Sequence, residues 1–239
     1  MTPAPERPGG TTARKVRRFL RDNGLGLFFL IAFLLALAGQ ALAGRAEFND
    51  QLVAEGFAPV GLGTYLTSSD FAVDVTENWQ SEYLQFSLYI LATVWLVQRG
   101  SPESKEPGKT GTESDREQRT GPYAREDSPR RAAARDWRGL LYSNSLGLVM
   151  GVVFLLSWLV QSVTGVAAYN EQRLRRLQAP VDWTRYLSSA DFWSRSLQNW
   201  QSELLAVASM AVLAIYLRQR GSPESKPVGA PDSATGVEG

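Results

Sequence analysis

Residues 24–44 read GLGLFFLIAFLLALAGQALAG, twenty-one positions with no charge and one side-chain amide, Gln40. At about 1.5 Å per residue, an α-helix of that length reaches roughly 31 Å, the thickness of a bilayer's hydrocarbon core. The pattern returns 121 positions later, in the segment that matches it at 146–169. The recurrence reaches well beyond these stretches: residues 20–105 align without a gap on 141–226, and 36 of the 86 pairs are identical. Asn78-Trp79-Gln80-Ser81-Glu82 comes back as Asn199-Trp200-Gln201-Ser202-Glu203, and QRGSPESK at 98–105 comes back unchanged at 219–226. A repeat of this length means two copies of one supersecondary unit.

Each copy holds a second, shorter apolar stretch, Tyr83–Gln98 and Leu204–Leu217. These fall below the roughly 17–25 residues a span requires, and become long enough only if each helix starts near Asn78 or Asn199. Glu82 and Glu203 then lie about one turn inside the helix, with Trp79 and Trp200 at the level where interfacial tryptophans are favoured. The fold expected is an all-α membrane protein with four transmembrane helices, arranged as two tandem parallel-repeat helical hairpins.

A rival reading of the first segment is a secretory signal. Arg14-Lys15-Val16-Arg17-Arg18, the apolar run and Ala41-Leu42-Ala43 have that order of charge, grease and small residues. The matching segment at 146–169 lies in mid-chain, where a signal peptide has no place, and this favours a span.

Charge sets the expected orientation. Residues 1–23, 99–140 and 218–239 carry 6, 10 and 3 basic residues, against 1 and 5 in the intervening loops 45–77 and 166–199. The positive-inside rule puts both termini and the central linker in the cytoplasm. The expected organisation is a disordered N-terminus (1–14), a first membrane hairpin (15–105), a disordered linker (106–135), a second hairpin (136–226) and a disordered tail (227–239). Linker and tail are too polar to offset their ordering entropy by burial. In the outer loops, Pro59 and Pro180 mark the turn back. Thr67-Ser68-Ser69-Asp70 and Ser188-Ser189-Ala190-Asp191 read as helix N-caps with an acid in the first turn.

The chain of 239 residues has no cysteine and no histidine, and its net charge is +1. That removes disulfides, thiolate metal sites, histidine-ligated haem or zinc and histidine-based triads. The balanced charge gives no field for nucleic acid. No phosphate loop, metal-binding helix pair or nucleophile elbow occurs, so no catalytic, metal or cofactor site is expected.

Two sets of polar residues stand out. Gln40 and Gln161 lie on stripes of mostly small residues (Ala32, Ala36, Gln40, Gly44 and Val153, Ser157, Gln161, Gly165), which suits an interhelical hydrogen bond in close helix packing. The Asn-Trp-Gln-x-Glu motif supplies Asn78, Trp79, Gln80 and Glu82, with Asn199, Trp200, Gln201 and Glu203. A carboxylate near hydrocarbon is costly unless paired or wet. Facing one another across the repeat axis, Glu82 and Glu203 could bind a cation or share a proton. The plainer account is a tryptophan belt, amide caps and glutamates reaching the aqueous rim. Gln85, Tyr89 and Thr93 form a polar stripe on one helix of the first copy only. In QRGSPESK, Gly100 and Gly221 suit a helix C′ position, with Ser-Pro-Glu opening a short return helix.

The same motifs resemble an uncharacterised family of bacterial membrane proteins known only as a domain of unknown function. The resemblance rests on Phe19-Leu20-Arg21-Asp22-Asn23-Gly24-Leu25, Gln40, the Tyr-Asn-Glu-Gln stretch at 169–172, the Tyr-Leu-x-Ser segments, Asn-Trp-x-Ser-Glu and the QRGSxESK endings. It covers about residues 15–226 and implies a bacterial inner-membrane location, with nothing about activity. Phe48-Asn49-Asp50-Gln51 departs from it, where the family pattern has tyrosine and glutamate.

The function expected is a non-catalytic structural or interaction component of the bacterial inner membrane. Its partners would be the lipid bilayer and either a homo-oligomer or another membrane protein. The alternative is a small channel or transporter with its site around Glu82 and Glu203. An intramembrane enzyme is disfavoured by the missing histidine and cysteine.

Overall fold

The computed structural model describes residues 9–237, and among these the chain is all helical, with eight α-helices and no strand. In chain order they are α1 (Gly9–Asp22), α2 (Gly24–Ala54), α3 (Leu62–Leu66), α4 (Ser69–Trp95), α5 (Trp137–Ser143), α6 (Ser145–Arg175), α7 (Trp183–Leu187) and α8 (Ala190–Tyr216). The bounds of α6, α7 and α8 are those of α2, α3 and α4 moved by 121 positions. The N-terminal stretch expected to be disordered lies outside the described residues up to residue 8, and its remainder belongs to α1.

Two helices, α2 and α6, are each 31 residues long and apolar enough to cross a membrane. Their greasy surfaces face outward: Leu25 is 76% exposed and Leu35 is 69% exposed. Helices α4 and α8 have 27 residues each, with their charges confined to the first half. Each is entered through a serine cap. The Ser68 hydroxyl accepts from Phe71 N at 3.2 Å, and the Ser189 hydroxyl accepts from Phe192 N at 3.2 Å. These are the caps the sequence led us to expect.

The chain forms two compact units, Met1–Phe71 and Ala72–Gly239. In the first, α2 ends in a Schellman turn: Phe57 N donates to Leu52 O and Gly56 N to Val53 O, with Gly56 at φ +84°. In the second, Gln178 N donates to Arg173 O and Leu177 N to Leu174 O, and Leu177 takes the left-handed position at φ +58°.

Helices α4 and α8 stop at Trp95 and Tyr216, several residues before the expected glycine caps. Gly100 (φ +89°) and Gly221 (φ +81°) sit instead at the third position of tight turns closed by Ser101 N to Gln98 O and Ser222 N to Gln219 O. No return helix follows. The later serine of each motif folds back: Ser104 Oγ accepts from Gln98 N and Ser225 Oγ from Gln219 N, both at 2.9 Å. Between the copies, residues 106–135 form turns and two single-turn 3-10 helices, Gly121–Tyr123 and Arg130–Ala133.

Candidate functional site

The loop between α2 and α3 is held by one asparagine. Asn49 Nδ2 donates to Val60 O at 3.1 Å, and its Oδ1 accepts from Val60 N at 2.7 Å. The loop between α6 and α7 repeats this: Asn170 makes both bonds to Val181 at 2.8 Å. An amide carries a donor and an acceptor side by side, so it pairs with a single backbone residue as a strand neighbour would. The clasp lies just after Pro59 or Pro180, where the chain reverses.

A tyrosine then locks each short helix against the long one before it. Tyr65, 2% exposed, packs beside Phe48 and Phe71 with its hydroxyl against Gly44. Tyr186, 1% exposed, packs beside Tyr169 and Phe192 with its hydroxyl against Gly165. A Cβ on either glycine would overlap the phenol oxygen. The glycine that ends each small-residue stripe is therefore a socket for a tyrosine. Burial, with the Asp191 charge beside it, pushes the Tyr186 phenol above its ordinary pKa.

Within the second unit, α4 and α8 meet along a polar seam centred on Arg195. Its Nη1 lies 3.1 Å from Glu77 Oε2 and 3.5 Å from Asp74 Oδ1, and its Nε lies 3.6 Å from Asp191 Oδ2. The Tyr186 hydroxyl donates to the same Asp191 oxygen at 3.4 Å. Three carboxylates thus face one guanidinium. Asp74 and Arg195 occupy equivalent positions of the two copies, 121 apart, so opposite charges meet where the repeats coincide. About one and a half turns along the seam, Trp200 Nε1 donates to Gln80 Oε1 at 2.7 Å. Trp200 also belongs to an aromatic cluster with Phe154 and Trp158, and Trp158 stacks on Phe192 at 6.1 Å.

Of the motif residues, the seam brings together Gln80 and Trp200. Gln80 is fully buried and its Nε2 has no hydrogen-bond partner. Trp79 and Gln201, their counterparts, are exposed. The two asparagine amides are not caps: they lie within α4 and α8 and bond back one turn, Asn78 Nδ2 donating to Asp74 O and Asn199 Nδ2 to Arg195 O. Glu82 is exposed and Glu203 half-buried. Gln161 is fully buried, with neither amide atom hydrogen-bonded, while Gln40 is only half-buried. The stripe residue Tyr89 donates its hydroxyl to Glu103 of the first QRGSPESK. Among the described residues no group of three or more acidic, histidine or cysteine side chains is disposed to hold a metal ion.

Asn49, Asn170, Tyr65 and Tyr186 entered the sequence reading only as parts of the motifs weighed in the resemblance, with no bonding role, although each is identical between the copies and lies near a chain reversal. Arg195 carried no such signal, because its counterpart is Asp74. The arrangement describes a helical scaffold with two helices fit to cross a membrane and a charged seam between α4 and α8. The chain belongs to the family described as Domain of unknown function (DUF6766), whose family model matches residues 16–237. No curated protein and no solved structure matches it.

Proposed function

We propose that this protein is a non-catalytic integral component of the bacterial inner membrane, with α2, α4, α6 and α8 as four spans and with both termini and the linker cytoplasmic. The outward-facing apolar surface of α2 and α6 carries this reading. In water each square ångström of it would cost about 25 cal/mol, whereas lipid tails cover it at no such cost. Helix α4 from Asn78 to Trp95 has 18 residues, and α8 from Asn199 to Tyr216 has 18, about 27 Å each and close to a hydrocarbon core. The clasped, tyrosine-locked outer loops form two rigid caps suited to docking a second copy or a membrane partner. The bacterial setting rests on the sequence resemblance.

Because the chain has no cysteine, single-cysteine variants label at one place only. An impermeant maleimide added to intact spheroplasts is expected to label Gln178→Cys and to spare Ser114→Cys until the cells are opened. Labelling of Ser114→Cys in intact spheroplasts would overturn the topology. Recovery of the whole chain in the aqueous fraction would overturn the membrane assignment.

A small channel or transporter is the second reading, favoured by the unpartnered amide atoms of Gln80 and Gln161. Proton or cation flux into liposomes carrying the purified protein, lost in Glu82→Gln/Glu203→Gln, would select it. Absence of flux with the unaltered protein removes it.

A further inference from the structure

The two QRGSPESK segments are identical in sequence and differ in what their lysines hold. Lys105 stays within its own copy and the start of the linker: Nζ donates to Gly111 O at 2.6 Å and pairs with Glu113 Oε1 at 2.6 Å. Lys226 reaches across. It is 1% exposed, and its Nζ donates to Gly100 O of the first copy at 2.7 Å. The other acceptors come from the tail: Asp232 O at 2.9 Å, Ala234 O at 3.3 Å and Pro231 O at 3.4 Å. Carbonyls only accept, so this cage suits an ammonium with its three donors and no lone pair.

The tail reinforces the crossing. Thr235 Oγ1 accepts from Gly100 N at 2.8 Å, and Gly236 N donates to Ser101 O at 3.0 Å. Gly100 permits the approach, since a Cβ there would stand 2.6 Å from Asp232 O and 2.9 Å from Ile215 Cγ2. Arg218 holds the same strand of tail, donating to Ala230 O at 3.0 Å and to Asp232 Oδ1 at 2.9 Å.

We propose that residues 230–236 are a clasp, closed by the Lys226 ammonium, that fastens the turn of the first QRGSPESK to the second copy. The clasp sets how far the ends of α4 and α8 can part. It does not depend on the membrane reading, because every hydrogen bond of the clasp lies in the polar segments beyond the helices.

Amide hydrogen exchange on the full-length protein in detergent micelles tests it, read at peptides covering residues 98–103 and 230–237. In Lys226→Met, exchange at Gly100 and Gly236 is expected to rise at least about tenfold, as a local opening without global unfolding. In Lys105→Met both amides should stay as slow as in the unaltered chain. Unchanged protection in Lys226→Met, or equal loss in Lys105→Met, overturns the clasp. Should Lys226→Met fail to fold, Thr235→Val removes the acceptor of Gly100 N at the far end of the tail. Faster exchange at Gly100 then supports the clasp, and unchanged exchange overturns it.

Discussion

Replacing Asn170 by alanine should loosen the α6–α7 loop while leaving the helices intact. The side chain makes two 2.8 Å bonds to one residue, Val181 N and Val181 O. A net hydrogen bond contributes about 1 kcal/mol, so losing both costs about 2 kcal/mol, or roughly thirtyfold in the equilibrium between closed and open loop. The site is part-buried, so water recovers some of the loss and keeps the figure from rising toward the penalty for sealed polar groups. The readout is exchange at the Val181 amide, which is itself one of the two donors. Asn170→Asp provides the control. Its carboxylate still accepts from Val181 N but meets the lone pairs of Val181 O, so about 1 kcal/mol should be lost at neutral pH. Protonation restores a donor. The folded state therefore favours the protonated acid, and the aspartate variant should regain stability as pH falls through about 4 and lose it as pH rises again. If Val181 exchanges in Asn170→Ala at the rate seen in the unaltered chain, the clasp does not hold the loop and the reasoning fails.

Two further outcomes follow from the differences between the copies. Leu177 is 96% exposed and sits at φ +58° where the first copy has Gly56, so Leu177→Gly removes backbone strain and sacrifices no packing. It should stabilise the protein by about 0.5–1 kcal/mol, and Gly56→Leu should destabilise it by about as much, both read from the midpoint of thermal unfolding in micelles. No shift in either variant would show that neither loop is held in the left-handed conformation. Arg195→Asp gathers four carboxylates on the seam and should cost about 2 kcal/mol, less in high salt. Asp74→Arg/Arg195→Asp should recover about half. A double variant no better than the single would mean that the two positions do not pair.

The sequence exposed what depends on periodicity and punctuation. Uncharged runs located α2 and α6, paired serines located the starts of α4 and α8, and the internal repeat foretold that the bounds of α2, α3 and α4 would recur at one offset. Chain reversals governed by side-chain bonds were not legible. In QRGSPESK the glycine, serine and proline fit a helix cap followed by a new helix. The structure uses the same residues for a tight turn with a serine folded back onto Gln98 or Gln219. Local preference allows both, and the lysine and tail contacts that reach the first of the two turns from the second copy could not be read from the motif itself. Likewise the small-residue stripe ending at Gly165 implied close helix packing, whereas the glycine makes room for Tyr186. A stripe records that something approaches, without saying what.

The seam shows why the two copies have diverged where they have. Residues identical between them, Asn49 and Asn170, Tyr65 and Tyr186, Gly44 and Gly165, do the same work inside each loop. At one point of the seam the copies differ and meet: Asp74 touches Arg195, its own counterpart. Two identical copies there would oppose aspartate to aspartate or arginine to arginine. Opposite charges favour the pairing of first copy with second and penalise either copy pairing with its own kind, through repulsion as much as through the bridge itself. Fusion in one chain guarantees that the unlike partner is always at hand. Gln80 and Trp200 belong to a motif identical in both copies, yet they bond across the seam while their counterparts Gln201 and Trp79 are exposed. A seam in which Asp74 meets Arg195 is complementary only between the first copy and the second, which argues for carrying both in one chain.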